Sequence, residues 1–405
     1  MVVRGFKALQ RLDLTFPGKM LILVGCNGAG KSSALQAAAF LQYFIKGQPE
    51  RFFEDRGWAI GDIRSKVDGQ KGTIGFNIHL DVGAEVSVAW GFTWSIALRE
   101  LESESIYLLH NSSEVPVQII GYSRAAKSVD ILDDRIKGIK SPGSVLSIID
   151  TSSLDDRARA CIDAVKNWAL GVFSLELLSP AAMRRGNRGA NTDIGPRGER
   201  LGGFLASLPP EKKRRLMARM SSFYPVTDVE TTKKKAGWID LKVAEAYPGL
   251  GKISAAHMSD GFMRLLGLAS IPEFGREASM VLLDEIEDGV EPHILADFIH
   301  LISHEADAQM LLTSHSPVLV NRFEPEEICF IARARDGRTI AAGFHEIEEM
   351  QTGLEYFGTG EIWSQTSMEA INKLVRNIAE KKDKEYEEYL KIKPLAARVR
   401  HFMRA

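Results

Sequence analysis

The stretch Gly25-Cys-Asn-Gly-Ala-Gly-Lys31-Ser32 has the residue types and spacing of a loop built to hold phosphate, GxxxxGK[ST]. Glycines at 25, 28 and 30 let the backbone curl so that successive N–H groups face an anion, an arrangement a Cβ would obstruct. Lys31 supplies a point charge for the β- and γ-phosphates, and Ser32 can place a hydroxyl on Mg²⁺. The expected nucleotide-binding set is Gly25, Asn27, Gly28, Ala29, Gly30, Lys31, Ser32 and Ser33, and the chemistry is capture of ATP with its magnesium ion. Cys26 sits inside the loop as a variable position.

Two acids far downstream, Asp284 and Glu285, have the types needed to act on such a nucleotide. Asp284 is expected in the Mg²⁺ shell with Ser32. Glu285 is expected to orient or deprotonate the attacking water, a role typically worth about 10²- to 10⁴-fold in rate. His315, in Thr313-Ser-His-Ser-Pro317, and Ser259 with Gly261, in Met258-Ser-Asp-Gly-Phe262, complete the set of residues that could touch phosphate.

The elements that must position these groups can be read from local pattern. Leu21-Ile-Leu-Val24 is an apolar strand entering the phosphate loop, and Ser33-Ala-Leu-Gln-Ala-Ala-Ala-Phe-Leu-Gln42 is a helix whose positive end aims at the anion. Ser279-Met-Val-Leu-Leu283 and Ala308-Gln-Met-Leu-Leu-Thr-Ser314 read as central parallel strands, whose carboxyl ends open where ligands of such folds bind. Ser259-Asp-Gly261 reads as a helix start followed by apolar residues at helical spacing. Gly72 to Leu80 and Ala84 to Trp94 alternate with period two, which predicts antiparallel strands.

The order and spacing of these pieces resemble the ATP-binding-cassette superfamily: Ser259-Asp-Gly261 lies about 25 positions before the acidic pair and His315 about 30 after it. The strings MSDGFMRLLGLA, LLDEIEDGVEPH and LLTSHSPVLVN resemble AAA-type ATPases related to the overcoming-lysogenization-defect (OLD) proteins, cousins of the SMC and Rad-type ATPases. Arg4-Gly-Phe-Lys-Ala8, Leu12 to Phe16 and Gly358 to Trp363 resemble that family too. The resemblance implies an α/β P-loop fold of ABC type, with a mixed central sheet, an antiparallel β subdomain and a mostly helical insertion. It implies a dimer that sandwiches two ATP molecules, in which Ser259 and Gly261 contact the γ-phosphate held by the other subunit's Lys31. It also implies that His315 is a switch histidine and that Asp288 sits where the D-loop crosses the dimer interface. The chain departs from the family at Ile286, where Pro is usual, and at Glu291-Pro292-His293. A Q-loop glutamine is not identifiable, although Gln70 lies at a suitable place.

Pattern along the chain divides the 405 residues into an ATPase lobe (1–120), a mostly helical insertion (121–237), a second ATPase lobe with signature, acidic strand and switch histidine (238–365), where strand character returns at Trp238, and a charged helical tail (366–405). Cys26, Cys161 and Cys329 form no disulfide framework and show no metal spacing. No apolar run reaches membrane-spanning length, and the phosphate loop begins too early for a signal peptide, so a cytoplasmic setting is expected. A net charge of -2 excludes a globally basic surface, so nucleic-acid binding would rest on local patches. Three patches stand out: Arg184, Arg185, Arg188, Arg197 and Arg200; Lys212 to Arg215; and Lys233 to Lys235.

OLD-type nucleases continue into a Toprim domain with clustered acids. Here only about 90 residues follow His315, with no separated Asp pair of the metal-binding kind. The expectation is an ATPase that dimerises on ATP and controls a separate effector, such as a nuclease, in bacterial anti-phage defence or DNA maintenance, with DNA as a further partner and no membrane. The alternatives are a transporter's ATP-binding subunit, which usually carries Leu-Ser-Gly-Gly-Gln rather than Ser-Asp-Gly, and a static ATP-binding module with negligible turnover.

Overall fold

The computed structural model describes residues 1–67, 72–83, 85–110, 116–132, 134–152, 154–275 and 277–392, with backbone alone at 134 and 386–392. Gln70, Ala84 and the basic end of the tail lie outside the described residues.

In chain order, β1 (Val2–Arg4) and β2 (Leu12–Asp13) precede the wholly buried β3 (Met20–Val24), which enters the phosphate loop and α1 (Lys31–Ile45). After α2 (Pro49–Glu54) come β4 (Thr73–Gly83), β5 (Val86–Ser95), β6 (Glu100–His110), β7 (Val117–Ser123), β8 (Ser128–Ile131) and β9 (Asp134–Lys137). Then follow α3 (Asp156–Leu170), β10 (Val172–Ser174), α4 (Pro180–Met183), β11 (Asn187–Arg188), α5 (Leu201–Ser207), α6 (Pro210–Ser221), β12 (Val226–Lys233), β13 (Trp238–Glu245) and β14 (Ile253–Ser254). The second lobe holds α7 (Asp260–Ala269), β15 (Met280–Leu283), α8 (Pro292–Glu305), β16 (Gln309–Ser314), α9 (Pro317–Val320), β17 (Ile328–Arg333), β18 (Thr339–Gly343), α10 (Glu348–Gln351), α11 (Thr359–Gln365) and α12 (Met368–Ile392).

The central sheet runs β10-β15-β16-β3-β17-β18, parallel except for the β17–β18 hairpin. Its inner strands are continuous apolar runs because both faces are covered. The pleat divides β3 between two cores. Leu21 and Leu23 face α1 and the antiparallel sheet, whereas Met20, Ile22 and Val24 join the cluster that holds α7, α8 and α12.

The antiparallel sheet runs β2-β1-β4-β5-β6-β7-β8-β9. Its period-two alternation buries Ile74, Phe76 and Ile78 on β4 and Val88, Trp90, Phe92 and Trp94 on β5. These rings seat on α1, where Phe44 stacks on Phe92 with centroids 3.7 Å apart. The sheet extends past residue 121: β7 ends at Ser123, and β8 and β9 complete it. The helical reading of 121–237 therefore differs from the structure at its start. It differs again where β10 joins the central sheet and where β11 and β12 pair with β13, which begins at Trp238 beyond that segment. β10 and β11 are too short to show alternation, and the polar β12, with its burial not alternating, gives no period-two signal to set against the helical periodicity of α3 and α6.

A buried ionic knot fastens α6 to the signature helix α7. Arg219 donates to Glu273 at 2.5 Å, to Glu305 at 2.6 Å and to the carbonyl of Ala269, while Arg215 takes the other oxygen of Glu273 at 2.7 Å. Both Arg219 and Glu273 are almost fully buried.

Candidate functional site

The phosphate loop has the backbone its sequence requires. Gly25, Gly28 and Gly30 take φ of 149°, 74° and 116°, values L side chains rarely adopt. A Cβ at Gly25 would strike the Ile331 carbonyl, and one at Gly30 would strike Thr339. Ala29 N donates to Cys26 O at 3.2 Å, closing the turn. Helix α1 then begins with no side-chain cap and no acid in its first turn, which leaves its N–H groups for an anion.

Lys31 lies folded into the loop, its Nζ donating to Gly25 O at 2.9 Å and Cys26 O at 3.1 Å. Burial lowers its pKa from the usual lysine value, opposed by the charges of Asp284 and Glu285. Ser32 and Ser33 are half-buried on the first turn, their hydroxyls without a protein partner among the described residues.

The loop has a roof that sequence pattern did not reveal. Arg333 donates to Gly28 O at 2.8 Å and to Gly337 O at 2.6 Å, and the Thr339 hydroxyl donates to Ala29 O at 2.9 Å. Nothing local marks these residues, since they lie about 300 positions from the loop they brace.

Because β15, β16 and β3 are parallel neighbours, Asp284, Ser314 and Gly25 emerge at one edge. Thr313 ties the acidic pair together: its hydroxyl donates to Asp284 Oδ1 at 2.5 Å and accepts from the Glu285 amide at 2.8 Å. Glu285 has φ of 44°, a left-handed conformation that costs about 1–3 kcal/mol in a non-glycine residue and must be held by its surroundings. Ile286 is buried, and its N–H reaches Thr313 O at 3.3 Å, a bond that a proline there would forgo. Glu291, where the resembled family usually has His before the Pro, is the N-cap residue of α8, and Pro292 sits in the first turn where its missing N–H is harmless.

His315 is held from the same side, its backbone N–H donating to the Glu287 carboxylate. The second oxygen of Glu287 is buried without a partner. On the opposite flank, β10 leads to Glu176, whose carboxylate pairs with Arg56 in a buried ion pair and lies within electrostatic reach of Asp284. Burial raises the Glu176 pKa, and Arg56 opposes the rise. Neither Glu287 nor Glu176 was singled out from sequence, because single acids in loops carry no spacing signal.

The signature segment stands apart. Ser259 caps α7, accepting from Phe262 N at 3.2 Å, and both Ser259 and Asp260 are exposed. A Cβ on Gly261 would come within 2.6 Å of Gly289 O, and Arg264 pairs with Asp288 at 2.6 Å, so the signature helix is packed on the loop after the acidic pair. No hydrogen bond or ion pair joins Ser259 or Gly261 to the chain's own phosphate loop among the described residues.

These residues fit Mg-ATP. The glycine cradle would be filled by a Cβ, the helix end lacks a cap, and the Ser32 hydroxyl and Asp284 carboxylate provide hard oxygen donors suited to Mg²⁺. The loop, Lys31 and the α1 N-terminus would hold the phosphates, and Ser32 and Asp284 the metal. The bound metal ion would neutralise charge on the phosphates.

Glycine loop, lysine and acidic strand on one edge of a parallel sheet define a P-loop NTPase with an added antiparallel β lobe. The chain belongs to the family described as "AAA domain, putative AbiEii toxin, Type IV TA system", which matches residues 20–321. No curated protein matches. Among solved structures, an Smc head bound to the C-terminal winged-helix domain of ScpA aligns with 12% identity and TM-score 0.48, over 85% of this chain and 97% of that one. An Smc head with an extended coiled coil bound to the C-terminal domain of ScpA, from Pyrococcus furiosus, aligns with 11% identity and TM-score 0.44, over 87% and 98%. An Smc head with a coiled coil and joint, from Pyrococcus yayanosii, aligns with 9% identity and TM-score 0.42, over 87% and 98%. No helix among the described residues is long and apolar enough to cross a membrane.

Proposed function

We propose that the protein is an ATP-hydrolysing switch of the OLD-like kind, which closes into a homodimer around ATP and controls a separate effector, a nuclease being the best candidate, in cytoplasmic anti-phage defence or DNA maintenance. The observation that carries the reading is the division of the site. Lys31, Ser32 and the acidic pair assemble at one edge, while the signature stands unjoined to them, with Ser259 exposed and Gly261 half-buried. A second copy would complete each half. Lys31 would neutralise phosphate charge, Glu285 would orient the attacking water, and His315 would report the γ-phosphate through its tether to Glu287.

The test is turnover and sedimentation of the purified chain. Lys31→Ala should abolish turnover. Glu285→Gln should slow it at least 10²-fold and accumulate an ATP-dependent dimer; undiminished turnover in both would sink the assignment. Capture of Glu285→Gln complexes from the native host then tests the effector reading, with a nuclease expected and an integral membrane protein pointing instead to transport.

A further inference from the structure

The structure engages the whole of one basic patch and two members of a second in contacts within the fold. Along α6, Lys212 donates to Glu273 O at 2.8 Å, Lys213 pairs with Asp228 at 3.1 Å, Arg214 with Glu211 at 3.0 Å and Arg215 with Glu273. In the glycine-rich segment, Arg200 pairs with Asp193 at 2.6 Å, and Arg184 clasps Asp260 and Met258 O. These cations are already engaged by the protein's own acids and carbonyls.

The third patch is different. The β12–β13 hairpin ends in Lys233-Lys-Lys-Ala-Gly-Trp238, and the three lysines are exposed. Lys234 pairs with Asp240, while Lys233 and Lys235 make no ion pair among the described residues. Beside them Trp238 is 43% exposed, which leaves its indole open to solvent. Arg188, its cross-strand partner on β11, lies over the ring at 4.9 Å and forms no ion pair among the described residues. Arg185, also exposed, lies on the same approach to β11. The tip thus combines free cations with a flat ring preset by a guanidinium.

We propose that this hairpin tip binds single-stranded nucleic acid, with Lys233, Lys235 and Arg188 on the phosphates and Trp238 stacking on a base. Cations that track a backbone together with an accessible aromatic face are the combination that recognises a single strand. A duplex hides its base faces and would leave the indole idle. The inference stands on the surface alone and does not require the switch reading.

Anisotropy of a fluorescent oligothymidylate titrated with the full-length protein over a salt series tests it. The wild-type chain is expected to bind with an affinity that falls as salt rises. The pair Lys233→Ala and Lys235→Ala should flatten the log–log salt slope by about 0.7 for each lost phosphate contact. Trp238→Ala should weaken binding about tenfold with little change of slope. Arg214→Ala, a paired cation on α6, should match the wild type. Thermal unfolding of each variant verifies that these surface changes leave the fold intact. Absence of binding at low salt, an equal loss in Arg214→Ala, or tighter binding to a blunt duplex of the same length would overturn the proposal.

Discussion

The hydroxyl of Thr313 donates to Asp284 at 2.5 Å while it accepts the amide of Glu285, so one side chain sets the position of both acids. Thr313 is fully buried in β16, one strand away from the acidic strand. Its hydroxyl is occupied by the two acids it positions.

Thr313→Val keeps the shape and removes both hydrogen bonds. Glu285 then loses a restraint on its left-handed backbone, and the Asp284 carboxylate is free to turn. Turnover is expected to fall about 10- to 100-fold, with ATP affinity changed by no more than a few-fold, in keeping with the loss of one or two hydrogen bonds to charged or strained groups. Thr313→Ser, which restores the hydroxyl, should recover most of the rate. Single-turnover hydrolysis and nucleotide titration measure the two quantities separately.

Ser259→Arg places a long cation at the exposed cap of α7. ATP binding to the monomer should persist because Lys31 and its loop are untouched, whereas ATP-dependent association in the Glu285→Gln background should disappear. Sedimentation velocity reads the result directly. Unaffected association would count against a signature that works across subunits.

Arg219→Met strands the Glu273 carboxylate in the core, with only Arg215 to face it. Breaking a buried ionic group in this way costs about 3–5 kcal/mol. Urea denaturation should show that loss, and adding Glu273→Gln should restore part of it. Full additivity of the two changes would mean that the groups do not interact.

Glu104 is buried on β6 of the antiparallel sheet and accepts from Trp90 Nε1 at 2.8 Å, Ser144 Oγ at 2.6 Å and Val145 N at 2.8 Å. Burial outweighs these three donors and pushes its pKa up to about 7. A carboxyl whose folded pKa lies above its unfolded value binds more protons when folded. Its contribution to stability is therefore complete below the unfolded pKa and declines as pH rises to about 7. Glu104→Gln should abolish this part of the pH dependence between about 5 and 8, a difference of up to about 3 kcal/mol in slope-integrated stability. The slope is the readout, because Gln also turns an amide NH₂ toward the Val145 N–H and lowers stability at every pH. A wild-type profile that stays flat over this range would contradict the assignment.

The parts of the fold that were legible in the sequence are those whose physics is local. The glycines of residues 25–30 announce their backbone, the unbroken apolar runs of β3, β15 and β16 announce buried parallel strands, and the alternation of β4 and β5 announces a sheet with one covered face. What could not be read depends on partners far along the chain. Thr313 lay in a string already noted, but its link to Asp284 exists only because β15 and β16 are neighbours. Lys212 to Arg215 looked like a ligand surface by charge alone, and Glu273, some 60 positions away, turned it into structure. Arg56 and Glu176 meet across 120 positions, beyond the reach of any periodicity.

The bracing of the phosphate loop by Ile331, Arg333 and Thr339 bears on how this protein can be dissected. Lys31, Ser32, Ser259, Gly261, Asp284, Glu285 and His315 all fall within the matched residues 20–321, so a fragment cut there would carry every residue expected to touch the nucleotide. It would also lose β17, the strand that covers one side of β3, and bare the backbone of the very strand that launches the loop. Such a fragment would hold all the named parts and no rigid cradle to mount them in. The smallest autonomous ATP-binding piece of this molecule is therefore set by a hairpin without a signature of its own.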